Sequence, residues 1–144
     1  MVKVKGTHGI VDIQVLGITA VMDRIRRAGL EIERGADAGV VKAGTYVSEE
    51  VQESIMGNRA EPMSVDTGRF GNSIEFNKTG TAEGVVKPRK ENYPEGGNTE
   101  DVAMLMEYSP NVKGGPRRHF RNTEARTKGK VNDMIEDQIK KVKL

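Results

Sequence analysis

The chain has no cysteine and no tryptophan, only three phenylalanines and three tyrosines in 144 residues, and a net charge of just +2. Without cysteine there is no disulfide framework, no thiolate zinc site and no cysteine nucleophile. No apolar run approaches the roughly 18–20 residues of a membrane span. The lysines of residues 1–5 lead into no signal-peptide core, so the expectation is a soluble protein made in a cytoplasm. A charge this small neither requires nor excludes nucleic acid. Bulky aliphatic residues are scarce as well. Leu, Ile, Val and Phe together make up 32 of the 144 residues, just above the roughly 20% below which highly charged chains stay unfolded. A fold is expected, with a core thin enough to be completed by a neighbouring subunit.

What is present is patterned. Residues 1–16 read as an extended segment: Val2 and Val4 alternate with lysines, Gly6-Thr7-His8-Gly9 carries turn chemistry, and residues 10–16 are β-rich. From Ile18 to Ile55 apolar residues recur every three or four positions, predicting one long helix over 18–57, capped by Thr19 and stopped at Gly57-Asn58. Its interior glycines, Gly29, Gly35, Gly39 and Gly44, each cost about 1 kcal/mol relative to alanine. They either break the helix or let another backbone approach closely. A small sheet is expected over 72–108, with strands at 73–77, 84–88 and 102–108 and a charged, mobile loop at 88–101. After a second loop at 109–118, a C-terminal helix is expected over 119–143, striped by Val131, Ile135, Ile139 and Val142. The expected fold is α+β in a single domain, 1–144: a long N-terminal helix and a C-terminal helix packed on a small antiparallel sheet of about 3–4 strands.

Chemistry-bearing motifs are few. His8 and His119 stand far apart with no patterned carboxylate and read as surface or loop histidines. No serine sits in a nucleophile elbow, and no phosphate-binding glycine loop matches. No catalytic residue, metal site or cofactor is therefore expected. Asp66-Thr67-Gly68 is the triplet of a pepsin-like protease, and a single copy would serve a homodimeric enzyme. Here, however, it follows polar Glu61-Pro62-Met63-Ser64 and a long helix rather than an apolar strand, and Arg69 and Phe70 stand where a small residue belongs. The simpler reading is a structural turn, in which Asp66 or Thr67 accepts backbone N–H bonds and Gly68 takes an unusual dihedral. Charge is uneven along the chain: residues 117–144 hold nine Lys/Arg against four Asp/Glu. Arg117, Arg118, Arg121, Arg126, Lys128 and Lys130 make a candidate phosphate-binding surface with only Phe120 for base stacking, so a nucleic-acid-binding protein is one alternative. The other is a solvated helix face.

Taken in order, these blocks resemble a family of tailed bacteriophages. Residues 65–74, Val-Asp-Thr-Gly-Arg-Phe-Gly-Asn-Ser-Ile, are followed by Met104-Leu105-Met106-Glu107-Tyr108 and by Pro116-Arg117-Arg118-His119-Phe120-Arg121 at the start of the last helix. The order is similar to that of the tail-completion or head–tail joining proteins, the gene-product-ten-like group of a lambda-like coliphage. That family's pattern runs Val-Asp-Thr-Gly-x-Leu-x-x-Ser-Ile, then Glu-aromatic-Gly-Thr, then Pro-Phe-aliphatic-Arg-Pro-Ala. Ser109-Pro110 replaces Gly-Thr here, and the last block keeps its aromatic and one arginine but lacks both prolines.

The resemblance implies a non-enzymatic virion protein in a six-fold ring, joining a neck or head-closure protein to the tail tube or tail terminator. DNA would pass through the lumen without specific binding. It implies no membrane and no small-molecule substrate. Arg69, Phe70, Tyr108, Arg117, Arg118, Phe120 and Arg121 are then the candidate interface residues, with Phe120 also expected to anchor the last helix against the sheet. The basic helix is expected outside the lumen or against an acidic partner.

Overall fold

Ala36, Val40, Ala43, Val47, Val51 and Ile55 recur every three or four residues and are all fully buried. They form the inner stripe of α1 (Glu31–Ile55), the first helix among the residues that the computed structural model describes, which are 2–7, 10–15, 31–65 and 68–141. The expected helix start at Ile18 and Thr19, together with Gly29, lies outside the described residues. From Glu31 onward the helix is unbroken, and Gly39 and Gly44 serve close approach. A Cβ at Gly39 would meet the Ile135 backbone at 2.9 Å, and one at Gly44 would run into the Phe76 ring. Gly57, at φ 86, ends the helix in the left-handed region that glycine tolerates.

The fold is mixed helix and sheet. β1 (Val2–Thr7) pairs antiparallel with β2 (Ile10–Val15). The helical turn α2 (Arg69–Ser73) leads into β3 (Ile74–Gly80), which pairs antiparallel with β4 (Glu83–Pro88). Because β2 also pairs with β4, the strand order is β1-β2-β4-β3. Asp37 of α1 holds the β3–β4 turn: it accepts the Ala82 N–H at 3.1 Å and pairs with Lys78 at 2.6 Å. Burial pushes its carboxyl up, but those bonds outweigh the burial and hold it below the ordinary carboxylate value.

Residues 72–108 contribute only two strands, fewer than expected. Residues 102–108 are not a strand but part of α3 (Thr99–Tyr108). Asn98 accepts the Asp101 N–H at 3.0 Å and Asp101 accepts the Asn98 N–H at 3.2 Å, a reciprocal box that starts a helix. Ala103 and Glu107, one turn apart, then face inward together. The expected mobile loop at 88–101 is accordingly shorter. Residues 89–98 close on themselves through the Asn92–Asn98 bridge and a Tyr93 N–H bond to Gly97 O, and the helix takes over at Thr99.

The last helix, α4 (His119–Lys140), packs along α1 and also touches β1. Val131 and Ile135 of its stripe are fully buried, Ile139 is half-buried, and Val142 lies outside the described residues. Ile135 reaches α1 only because Gly39 offers no side chain there.

Candidate functional site

Polar chemistry converges where the C-terminal end of α1, the 56–68 connector and the start of α4 meet. Two buried carboxylates organise it. Glu107, fully buried on α3, accepts the Phe120 and Arg121 N–H groups at 3.0 Å each and Arg121 Nε at 2.9 Å. Arg121 Nη2 also donates to the Glu107 carbonyl. Arg118, at the cap position of α4, sits at φ 51 and makes no side-chain cap. The carboxylate of α3 therefore caps α4, placing negative charge where four backbone N–H groups lack helical partners.

Glu61 is the second. It is 5% exposed and takes a fork from Arg126 at 3.0 and 3.1 Å, Asn122 at 3.2 Å and the Ser54 hydroxyl at 2.5 Å. Burial pushes its carboxyl up; the donors from Arg126, Ser54 and Asn122 more than reverse that, so it stays below the ordinary value.

Between Glu61 and the surface lies a chain of bonds whose direction can be worked out. Ser54 Oγ gives its proton to Glu61, which only accepts, so Ser54 must accept from His119 Nδ1 at 2.7 Å. With its proton on Nδ1, neutral His119 offers a bare Nε2, and Ser64 Oγ donates to it across 2.7 Å. Ser64 in turn accepts from Arg117 Nη1 at 2.9 Å. Burial holds the His119 imidazole neutral by pushing it down from 6.5 to about 4; the Glu61 charge opposes that drop, and Arg117 and Arg126 add to it. Ser64 also lines a groove of about 260 Å³ with Phe70, Tyr93, Val102 and Met106.

His119 is thus neither a surface nor a loop histidine: it is fully buried at the first turn of α4 and linked through Ser54 to a carboxylate. Sequence reasoning also passed over Ser54, Glu61, Ser64 and Glu107. Their partners lie 7 to 65 residues away, so no local spacing marks them. Only Glu107 left a trace, one helical turn after Ala103 in a stretch that opens with the Asn98–Asp101 box.

The expected interface residues divide. Phe70 and Phe120 are 4% and 1% exposed and belong to the core, which corrects their placement on a surface. Arg117 is committed to Met63 O at 2.6 Å, Ser64 Oγ and Lys113 O. Arg121 is committed to Glu107 and lies over the Tyr108 ring at 4.4 Å. Arg69 donates to Asn92 O at 3.1 Å beside Tyr93. Arg118 and Tyr108 are at the surface. Of the expected structural turn, Gly68 sits at φ 85 and leads directly into α2, whereas Asp66 and Thr67 lie outside the described residues. No strand feeds that triplet among the described residues, unlike the arrangement a pepsin-like loop requires. Of the six expected phosphate contacts, Arg117, Arg121 and Arg126 are turned to partners within the chain, and Lys130 lies over Tyr46 at 4.6 Å.

Among the described residues there is no cluster of metal-ligating side chains, and no helix is long and apolar enough to cross a membrane. Compared with known proteins, the chain matches no family model, no curated protein and no solved structure.

Proposed function

We propose that this chain is a structural joining protein of a tailed bacteriophage, a ring subunit between the neck and the tail tube that lets DNA pass. The observation that carries the reading is the ordered series of motifs, from residues 65–74 through Glu107-Tyr108 to the block that opens α4. Two features of the molecule support it. Arg117, Arg121, Arg126, Glu61 and Glu107 bind one another or the backbone, which suits a protein whose charges build a scaffold. Apolar side chains stay exposed on α3 (Met104, Leu105) and on the connector (Met63, Val65), surface that neighbours in an assembly would cover. In this reading the long helices pack on one antiparallel sheet in which the N-terminal hairpin supplies two strands. The ring is six-fold, and its partners are a head-closure protein on one side and the tail tube or terminator on the other. The protein acts within the virion, and the joining role itself requires no cofactor and no catalysis.

The test is electron microscopy of lysates from the parent phage with this gene deleted. DNA-filled heads and separate finished tails in one lysate are expected; intact, joined virions would refute the role. Leu105→Glu and Met63→Glu, introduced by complementation, should reproduce the unjoined phenotype while leaving the purified protein folded.

A further inference from the structure

Ser64 and His119 do more than tie a connector to a helix. The 2.7 Å between Ser64 Oγ and the bare Nε2 is the distance at which a general base takes a hydroxyl proton. Behind the ring, Nδ1 is held by Ser54 and Ser54 by Glu61, so an imidazolium formed at His119 would face a carboxylate through one hydroxyl. In front of it, Arg117 keeps its cation 2.9 Å from Ser64 Oγ and cannot swing away, because Met63 O and Lys113 O fix the guanidinium. Ser54 is fully buried, but Ser64 is half-buried and borders the groove, whose walls include Phe70, Val102 and Met106. A nucleophile, a base, an orienting relay and a cleft of about 260 Å³, lined by Phe70, Val102 and Met106 together with Tyr93 and Glu95, therefore share one place.

We infer that Ser64 is an activated nucleophile that accepts acyl groups from small carboxylic esters, with the groove receiving the acyl chain. Ser64 Oγ adds to the ester carbonyl carbon as its proton moves to His119 Nε2. The adduct collapses, the bond to the leaving alcohol breaks, and Nε2 returns the proton to the departing oxygen, leaving a Ser64 ester. Water then gives a proton to Nε2 and attacks the acyl carbon; Ser64 Oγ leaves, takes the proton back and frees the carboxylic acid. Ser64 and His119 are the catalytic residues, because they touch the reacting atoms. Ser54 and Glu61 are positioning residues. Arg117, 2.9 Å from Oγ, eases the loss of its proton as the bond to carbon forms, while the negative charge of the adduct comes to rest on the ester's carbonyl oxygen.

The experiment uses the full chain with p-nitrophenyl acetate and with a fluorophosphonate probe, in which the Oγ–P bond forms as P–F breaks and hydrogen fluoride leaves. Mass spectrometry locates the adduct. It is expected on Ser64, lost in Ser64→Ala, and formed about 100-fold more slowly in His119→Gln. The charged groups facing His119 are Glu61 of the connector, Arg117 of the preceding loop and Arg126 of α4. With the imidazole held at about 4, labelling should stay level down to about pH 5 and fall only near pH 4. A folded protein with no Ser64 adduct overturns the proposal, as does labelling spread evenly over the serines or an unchanged rate in His119→Gln. If His119→Gln fails to fold, Ser54→Ala keeps the ring and should slow labelling several-fold; an unchanged rate there also overturns it. The inference does not rest on the joining role: phage carrying Ser64→Ala should lose the label and still join heads to tails.

Discussion

The two ends of α4 are held by different physics. Its first two turns, from His119 to Arg126, are fixed by directional bonds to the buried carboxylates Glu107 and Glu61, which belong to other parts of the chain. Its later turns are held by shape: Val131 and Ile135 are fully buried, and the Ile135 backbone comes against Gly39 with no side chain between them. A charge-assisted network is unforgiving when one partner goes, because its buried members are left unpaired. A close-packed contact fails by degrees with added volume. One helix therefore has an end sensitive to pH and an end sensitive to size.

The comparison breaks at Glu61. Glu61→Ala takes the acceptor from buried Ser54 and half-buried Asn122 and leaves the exposed Arg126 to water, and should lower the unfolding free energy by about 2–3 kcal/mol in chemical denaturation. Glu61→Gln, which still accepts on one oxygen, should lose less. Acid should act on the same end. His119 takes up its proton near 6.5 when unfolded but only at about 4 when folded. The unfolded chain thus binds more protons between those values, and stability contributed at neutral pH is lost as pH falls through that window. The loss is about 3 kcal/mol and is complete below about pH 4. Glu61, whose folded value is depressed, adds its own loss lower in the acid range. Denaturation midpoints across pH should start falling near 6.5, above the range where carboxylates alone would act.

At the other end the expected changes are smaller and independent of pH. Gly39→Ala pushes a methyl to within 2.9 Å of the Ile135 Cα, a backbone atom that cannot rotate away. A cost of about 1–3 kcal/mol from the clash should exceed the gain of about 1 kcal/mol in helix propensity. Gly129, in the same α4, has nothing within 4 Å of its would-be Cβ, so Gly129→Ala should stabilise by up to about 1 kcal/mol. A destabilised Gly129→Ala, measured in the same denaturation series, would show that α4 needs flexibility there.

The parts of the fold that could be read from the sequence are those whose signal is local. The stripe from Ala36 to Ile55 predicts α1, and the stripe at Val131 and Ile135 predicts α4. The two short strands expected at 73–77 and 84–88 correspond to β3 and β4. Residues 102–108 misled because a short apolar run has no period long enough to separate strand from helix. The Asn98–Asp101 box just upstream was the deciding mark. The site was far less legible. Ser54, Glu61, Ser64, Arg117 and His119 meet only after α1 and α4 dock, and no spacing encodes a contact across 65 residues.

Phe76 shows what such docking imposes on a sequence as it drifts. Its ring occupies the space that a side chain at either Gly44 or Gly84 would need, so an aromatic on β3 sets the gap between α1 and the hairpin. The three positions behave as one site. A larger residue at Gly44 should be accepted only beside a smaller one at 76, and homologues are expected to keep the pair or exchange both together. Covariation between positions 44 and 76 would then mark how closely the helix and sheet of a distant relative are set.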